Sequence, residues 1–299
     1  MISGLFSLGI FVVQQSKKVF KSREMSEIIL PTERRKATDY NPKLIVLFGK
    51  YKSGKSTCVA SLDNNLIIDL EDGYRALDVM CVQARNAADL FNIKKAIEGK
   101  NAENGGKPFY RFITIDNATR LEEMALFYAK VLYRRTSMGK MWGYKTDAIG
   151  NVVKDAKGNL IDDPKADIRQ LPEGGGYLYL RKAAKEMIDM FKPLCDTLIL
   201  VAHVKDKQIR KNGEQQSEMQ VDLIGKLSDI ICGEADAIGY VYRENNKTIV
   251  SFEGGSDTLR GARPLHLKET KFVVVESDDK GNLAVDMSKI FLSNEQHAA

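Results

Sequence analysis

The segment Gly49-Lys50-Tyr51-Lys52-Ser53-Gly54-Lys55-Ser56 constrains this chain more than any other stretch, because of what flanks it. Residues 43–48 before it read KLIVLF, a continuous apolar run of strand length, as a strand buried on both faces requires. Residues 56–62 after it are predicted to open a helix. Glycines at 49 and 54 let the backbone curl so that successive N–H groups converge, and the helix adds the positive end of its dipole. Strand, glycine-bounded turn and helix in that order make a phosphate cradle. They also commit the chain to a crossover, since a helix leaving a buried strand must pack back over the sheet before the next parallel strand.

The apolar pattern recurs in residues 65–70 (NLIIDL), 111–116 (RFITID) and 197–202 (TLILVA), with further strands near 237–243, 247–252 and 272–276. Helices are expected around 74–98, from Thr119, whose spacing to Glu122 is that of a capping box, and over 177–194. The fold class is therefore α/β, a mainly parallel sheet sandwiched by helices. Residues 139–176 read as an inserted region with a hairpin turning at Lys157-Gly158-Asn159, and no internal repeat is read. One domain is expected over 43–292, with an extension at 1–42 and a tail at 293–299.

The extension holds an apolar run, residues 2–13, followed by Lys17, Lys18, Lys21 and Arg23. That order suits neither a secretory signal nor a span of roughly 20 apolar residues. The favoured reading is a frame that truly starts at Met25; a membrane-surface helix or a pairing element are the alternatives. No stable membrane span and a cytoplasmic location follow from this reading. Lys and Arg outnumber Asp and Glu 45 to 40, a net +5, so no global field demands a nucleic-acid partner. Four cysteines and three histidines show no metal-ligand spacing, which suits a reducing compartment without structural zinc.

In the cradle, Lys55 would reach the β- and γ-phosphates of ATP and Ser56 would offer its hydroxyl to Mg²⁺, with residues 49–57, Thr57 included, around the phosphates. Asp116 ends the third strand and is the candidate to hold Mg²⁺. Asn117 follows it, so the water-activating carboxylate is sought elsewhere, and Glu71 in Asp69-Leu70-Glu71-Asp72 is the candidate. The plainer alternative makes those acids a cap and a solvated turn. His203, ending the fourth strand, is placed to sense the γ-phosphate.

This order of motifs, the phosphate loop, IIDLEDGYRALD, TID and VAHVKDK, resembles the RecA family. More closely, GKYKSGKST, LPEGGGY and the strand with AHVKDK resemble the compact RecA-like ATPases of bacteriophages associated with single-strand annealing and recombination, over residues 43–275. The resemblance implies a RecA-like P-loop NTPase core that hydrolyses ATP with Mg²⁺ and acts on single-stranded DNA. It also implies a homo-oligomer with ATP at the subunit boundary, and a single-strand-binding or replication partner. Lys205, Lys207, Arg210 and Lys211 then become candidate DNA contacts, with Trp142, Tyr144, Tyr177 and Tyr179 as candidate stacking platforms. Arg260, Arg263, Lys268 and Lys271 become candidates for a cation supplied to a neighbour's site. At the sensor position RecA carries glutamine where this chain has His203. Two other readings remain: a motor, helicase-loader or packaging ATPase acting on a protein partner, and, less favoured, a P-loop kinase, whose arginine-rich lid is not obvious in the insertion with Lys140, Lys145, Lys154, Lys157, Lys165 and Arg169.

Overall fold

The computed structural model describes residues 30–211, 214–255, 257–277 and 283–293, and the side chains of 209–211 and 214–216 lie outside the description. The apolar run 2–13, the basic residues after it and Met25 are outside the described residues, as are residues 294–299 of the tail. The chain divides into two units, 1–38 and 39–299. In the first, residues 30–38 are irregular and exposed.

The second unit is built on strands β1 (Leu44–Gly49), β2 (Asn65–Asp69), β3 (Met80–Gln83), β4 (Phe112–Asp116), β5 (Thr197–Lys211), β6 (Glu214–Val221), β7 (Ala237–Glu244), β8 (Lys247–Ser251), β9 (Gly261–Ala262), β10 (Lys271–Ser277) and β11 (Leu283–Val285). Its sheet runs β11-β10-β8-β7-β1-β5-β4-β2-β3. From β7 to β3 every pairing is parallel, and β8, β10 and β11 extend the sheet antiparallel. The helices are α1 (Lys55–Ala60), α2 (Ala87–Glu103), α3 (Ala118–Arg134), α4 (Gly175–Asp189) and α5 (Leu227–Glu234). This is an α/β fold, a mainly parallel sheet between helical layers with the phosphate-loop strand at its middle.

Strand periodicity divides the core in two. Leu44, Val46 and Phe48 of β1 pack with Leu90, Leu121, Leu180 and Ile231 of α2 to α5. Ile45 and Leu47 face the other way, onto Cys58 and Val59 of α1 and onto Phe252, Leu267 and Ile290. Both faces are buried, which is why the strands read as unbroken apolar runs.

Several expectations change. Residues 74–79 are turn and irregular chain, 80–83 form β3, and α2 starts only at Ala87, where the Asn86 side chain accepts from the Asp89 amide. Backbone pairing of Met80–Gln83 with β2 outweighs their helical appearance. α3 is capped by Asn117, not by Thr119 with Glu122. Thr119 Oγ1 instead donates to the Asp222 carbonyl, and Glu122 accepts from the Ile224 amide, so both fasten the loop after β6.

The inserted region holds three short bridged segments, Tyr144↔Asp162, Thr146↔Val152 and Lys154↔Leu160. Its two turns do repeat, as Asp147-Ala148-Ile149-Gly150-Asn151 and Asp155-Ala156-Lys157-Gly158-Asn159. In each, the aspartate accepts from the amides two and four residues on. Arg134 of α3 ties the region down: it donates to the Trp142 and Gly143 carbonyls, pairs with Asp162 at 2.7 Å and lies 3.8 Å from the Tyr144 ring centroid. Trp142 and Tyr179 both pack on Tyr133, so with Tyr144 they hold the insertion rather than offering free faces. Tyr177 remains 38% exposed. Among the described residues no helix is long and apolar enough to cross a membrane.

Asp39 closes the base of the fold. Its carboxylate accepts from the Leu265 and His266 amides and lies 2.9 Å from His266 Nδ1, while His266 Nε2 lies 3.1 Å from the Ile290 carbonyl. Burial pushes the carboxyl up, but the bonds from His266 and the backbone outweigh it and hold it below its ordinary value. Such a group contributes stability that is complete above the unfolded value and is lost as pH falls through the folded one. Urea unfolding followed downward from neutral pH is expected to show a stability loss below about pH 4 that is smaller in Asp39→Asn.

Candidate functional site

Parallel pairing brings the loop ends together at one edge of the sheet. Gly49 lies opposite His203, and Asp116 lies opposite both Val201 and Asp69. The phosphate loop springs from Gly49, where a Cβ would fall 2.2 Å from the Val241 carbonyl oxygen, so only glycine lets β7 lie so close. Gly54 precedes α1 at φ 97°, and a Cβ there would meet the Thr248 hydroxyl at 3.0 Å.

Lys55 is buried beneath the loop, its ammonium donating to the carbonyls of Gly49 at 2.9 Å and Lys50 at 2.8 Å. Burial holds its pKa below the usual lysine value, against the pull of Asp116 and Glu71. Ser56 Oγ donates to Asp116 Oδ2 at 2.8 Å, and the Tyr74 hydroxyl donates to the same oxygen at 2.5 Å. Burial raises the Asp116 carboxyl above its ordinary value, while these two donors and Lys55 act to lower it. The Ser56 hydroxyl and Asp116 carboxylate are adjacent hard oxygen donors, a set suited to Mg²⁺.

Asp69 accepts from the amides of Glu71, Asp72 and Gly73, each at 2.9 Å, and Asp72 pairs with Arg75. Asp69 thus holds the turn and Asp72 sits in a surface ion pair, while Glu71 lies at the site with Oε1 3.9 Å from His203 Nε2. His203 also meets Asn117, whose Nδ2 lies 3.0 Å from Nε2, and Tyr51, whose ring centroid lies 4.0 Å away. Because Asn117 Oδ1 is taken by the Arg120 amide, its NH₂ must be the end facing His203. Nε2 is then the acceptor and the proton resides on Nδ1. Burial, helped by Lys55, keeps the ring's pKa below the ordinary histidine value.

A cavity of about 490 Å³ joins these groups, lined by Ser53, Thr57, Lys52 and Arg243 besides Lys55, Glu71, Asp116 and His203. Lys50 is exposed and lends its carbonyl to Lys55. Sequence reasoning missed Tyr74, Asn117 and Arg243. Asn117 was adjacent to a singled-out residue and has the preferred composition of a helix cap, which was the available signal. Arg243 stands near the end of β7, with no local motif to mark it.

The other candidates lie elsewhere. β5 runs on past His203 and pairs with β6 as a hairpin. Lys205 and Lys207 share one parity of that strand and so one face. Lys205 reaches the Leu223 carbonyl and lies 3.7 Å from Asp222, and Lys207 lies 3.8 Å from Asp229. The side chains of Arg210 and Lys211 fall outside the described ones. Arg263 caps the Gly233 carbonyl beside Asp236, at the sheet edge opposite the phosphate loop, whereas Lys271 pairs with Glu253 at 2.6 Å and is level with Phe48 in register, through Ser251 and Tyr240. Lys268 is exposed, Arg260 flanks β7 just before β9, and none of the four lines the phosphate cavity of its own chain.

Residues 41–270 match a family model described as an AAA domain. No curated protein matches the chain. Among solved structures it is similar to a RadB recombinase, at 8% identity and a TM-score of 0.41 with 81% of this chain and 90% of that chain covered. It is also similar to a KaiC-like protein from the hyperthermophilic archaeon Pyrococcus horikoshii OT3, at 13% identity and a TM-score of 0.37 with 83% and 91% covered.

The Asn117 contacts separate by substitution. Asn117→Asp keeps the acceptor that caps α3 but turns the donor facing His203 into an acceptor. Imidazole ¹⁵N spectra are expected to show the His203 proton moving to Nε2, with thermal stability near wild type, whereas Asn117→Ala loses the cap and about 1 kcal/mol as well.

Proposed function

Because the chain belongs to the AAA domain family, we propose that it binds ATP with Mg²⁺ and hydrolyses it, acting on single-stranded DNA in phage-type recombination, repair or replication. The observation that carries this reading is the convergence of Lys55, Ser56, Asp116, Glu71 and His203 on one cavity at the mouth of a glycine-bounded loop. Loop amides and the start of α1 receive the phosphates, and Lys55 turns from the Gly49 and Lys50 carbonyls to the β- and γ-oxygens. Ser56 and Asp116 would hold Mg²⁺, and the chemistry the ion would supply is neutralisation of charge on the phosphate oxygens. Glu71 orients a water and takes its proton as the water oxygen bonds to the γ-phosphorus; the bond to the bridging oxygen breaks and ADP leaves with both electrons. His203, neutral and protonated on Nδ1, registers the γ-phosphate and passes its loss to the hairpin that begins there.

The ribbon of β5 and β6 with its lysines, reaching beyond the sheet edge next to His203, supports DNA as the effector. A homo-oligomer would draw a completing cation from a neighbour, with Arg260, Arg263, Lys268 and Lys271 as candidates, and a single-strand-binding protein is a fitting partner. One observation favours the second reading, a loader or motor acting on protein: Lys205 and Lys207 already face Asp222 and Asp229. Their charge is thereby reduced for phosphate.

Hydrolysis by the wild type is expected to rise on adding single-stranded DNA and to lose that response at higher salt. Lys55→Ala is expected to abolish turnover, and Glu71→Gln to lower it at least a hundredfold while leaving ATP bound. Turnover indifferent to DNA would select the protein-partner reading, and full activity in Glu71→Gln would remove Glu71 from its role.

A further inference from the structure

The chain between β2 and β3 carries Glu71, yet it is neither helix nor strand, so something must hold that carboxylate in place. Two contacts do so, one on each side of Glu71. On one side Asp69 collects the amides of residues 71–73. On the other, the Tyr74 ring is buried among the apolar side chains that include Val59, Ile67 and Phe112, and only 5% of the residue is exposed. Its hydroxyl leaves that apolar wall to end on Asp116 Oδ2 at 2.5 Å.

We propose that Tyr74 is a positioning residue whose phenol couples the carboxylate that holds Mg²⁺ to the turn that carries the water-activating carboxylate. The inference rests on the nucleotide reading given above. Asp69 and Asp116 are opposite one another in the β2–β4 register, so the turn between them is clamped by two side-by-side carboxylates. Ser56 donates to the same Asp116 oxygen. When Ser56 turns its lone pairs to a metal, Tyr74 is the described side-chain hydroxyl left to orient Asp116. A serine or threonine in its place would be too short to span from the apolar wall to the carboxylate. The ring is therefore a spacer as much as a core residue.

Tyr74→Phe keeps the ring and its packing and removes only the bond to Asp116. The test compares ATP affinity, by equilibrium dialysis, with and without Mg²⁺, for the wild type and this variant, alongside kcat and thermal unfolding. Loss of one hydrogen bond to a charged group predicts that the tightening of ATP binding by Mg²⁺ falls about tenfold, with metal-free affinity unchanged. A drop in kcat larger than the change in KM is expected too, since Glu71 loses its second anchor. A merely structural tyrosine would lower thermal stability and weaken ATP binding alike with and without metal, and that pattern overturns the proposal. So does a variant whose Mg²⁺ response equals that of a responsive wild type. If the wild type itself ignores Mg²⁺, the nucleotide reading falls first and takes this inference with it.

Discussion

Everything at the site depends on backbone register across four parallel strands. Gly49, His203, Asp116 and Asp69 are distant in the chain, yet the β1–β5, β5–β4 and β4–β2 ladders set their ends at one edge. A slip of one residue would move every side chain of a strand to the other face. Here both faces are buried, so a slip would drive Asn65, Asp69 or Asp116 out of their hydrogen-bonded places and leave apolar residues without partners. Thr114 adds a polar check inside the core, its hydroxyl donating to Asn65 across the β4–β2 pair at 2.9 Å. Such a bond between buried groups is satisfied in one register and costly in any other.

The register in turn decides which charges must share a small volume. Lys55 and Asp116 are both largely buried, and an unpaired ion at such a site would cost several kcal/mol. The fold meets that cost with directed dipoles rather than with a direct ion pair. Lysine takes two loop carbonyls, and the aspartate takes two hydroxyls. The same logic makes His203 neutral: beside Lys55, a second buried cation would be repelled, and the amide of Asn117 stabilises the uncharged ring.

Much of this was legible before any coordinates. Continuous apolar runs identified β1, β2, β4 and the buried half of β5, because parallel strands covered on both faces have no polar side to interrupt them. The glycine-bounded loop identified itself by chemistry that few other residue types can perform. What escaped reading lacked such a signature. β3 is an edge strand with Met80, Cys81 and Gln83 exposed, so its sequence shows no burial pattern at all. Tyr74 looks like any aromatic in a turn until the ladder places it beside Asp116. The paired Asp-Ala-x-Gly-Asn turns are short enough to vanish among ordinary loop residues. Arg134 acts across the gap from α3 to the insertion, a contact that no local pattern encodes.

The long β5 strand joins these levels. Up to Ala202 it is wholly buried between β1 and β4; beyond His203 it emerges, and Asp206, Lys207 and Gln208 are exposed. One hydrogen-bonded ribbon thus spans the phosphate site and the surface, with the histidine at the point of exit. A second route reaches the same ribbon. Asn117 touches His203 and caps α3, whose Thr119 and Glu122 hold the Asp222 carbonyl and the Ile224 amide, and Lys205 of the ribbon reaches the Leu223 carbonyl between them. Site, helix, loop and hairpin therefore form a closed ring of contacts. A closed ring resists shear in a way that a single chain of contacts does not, so His203, the hairpin base and the start of α3 are braced against one another.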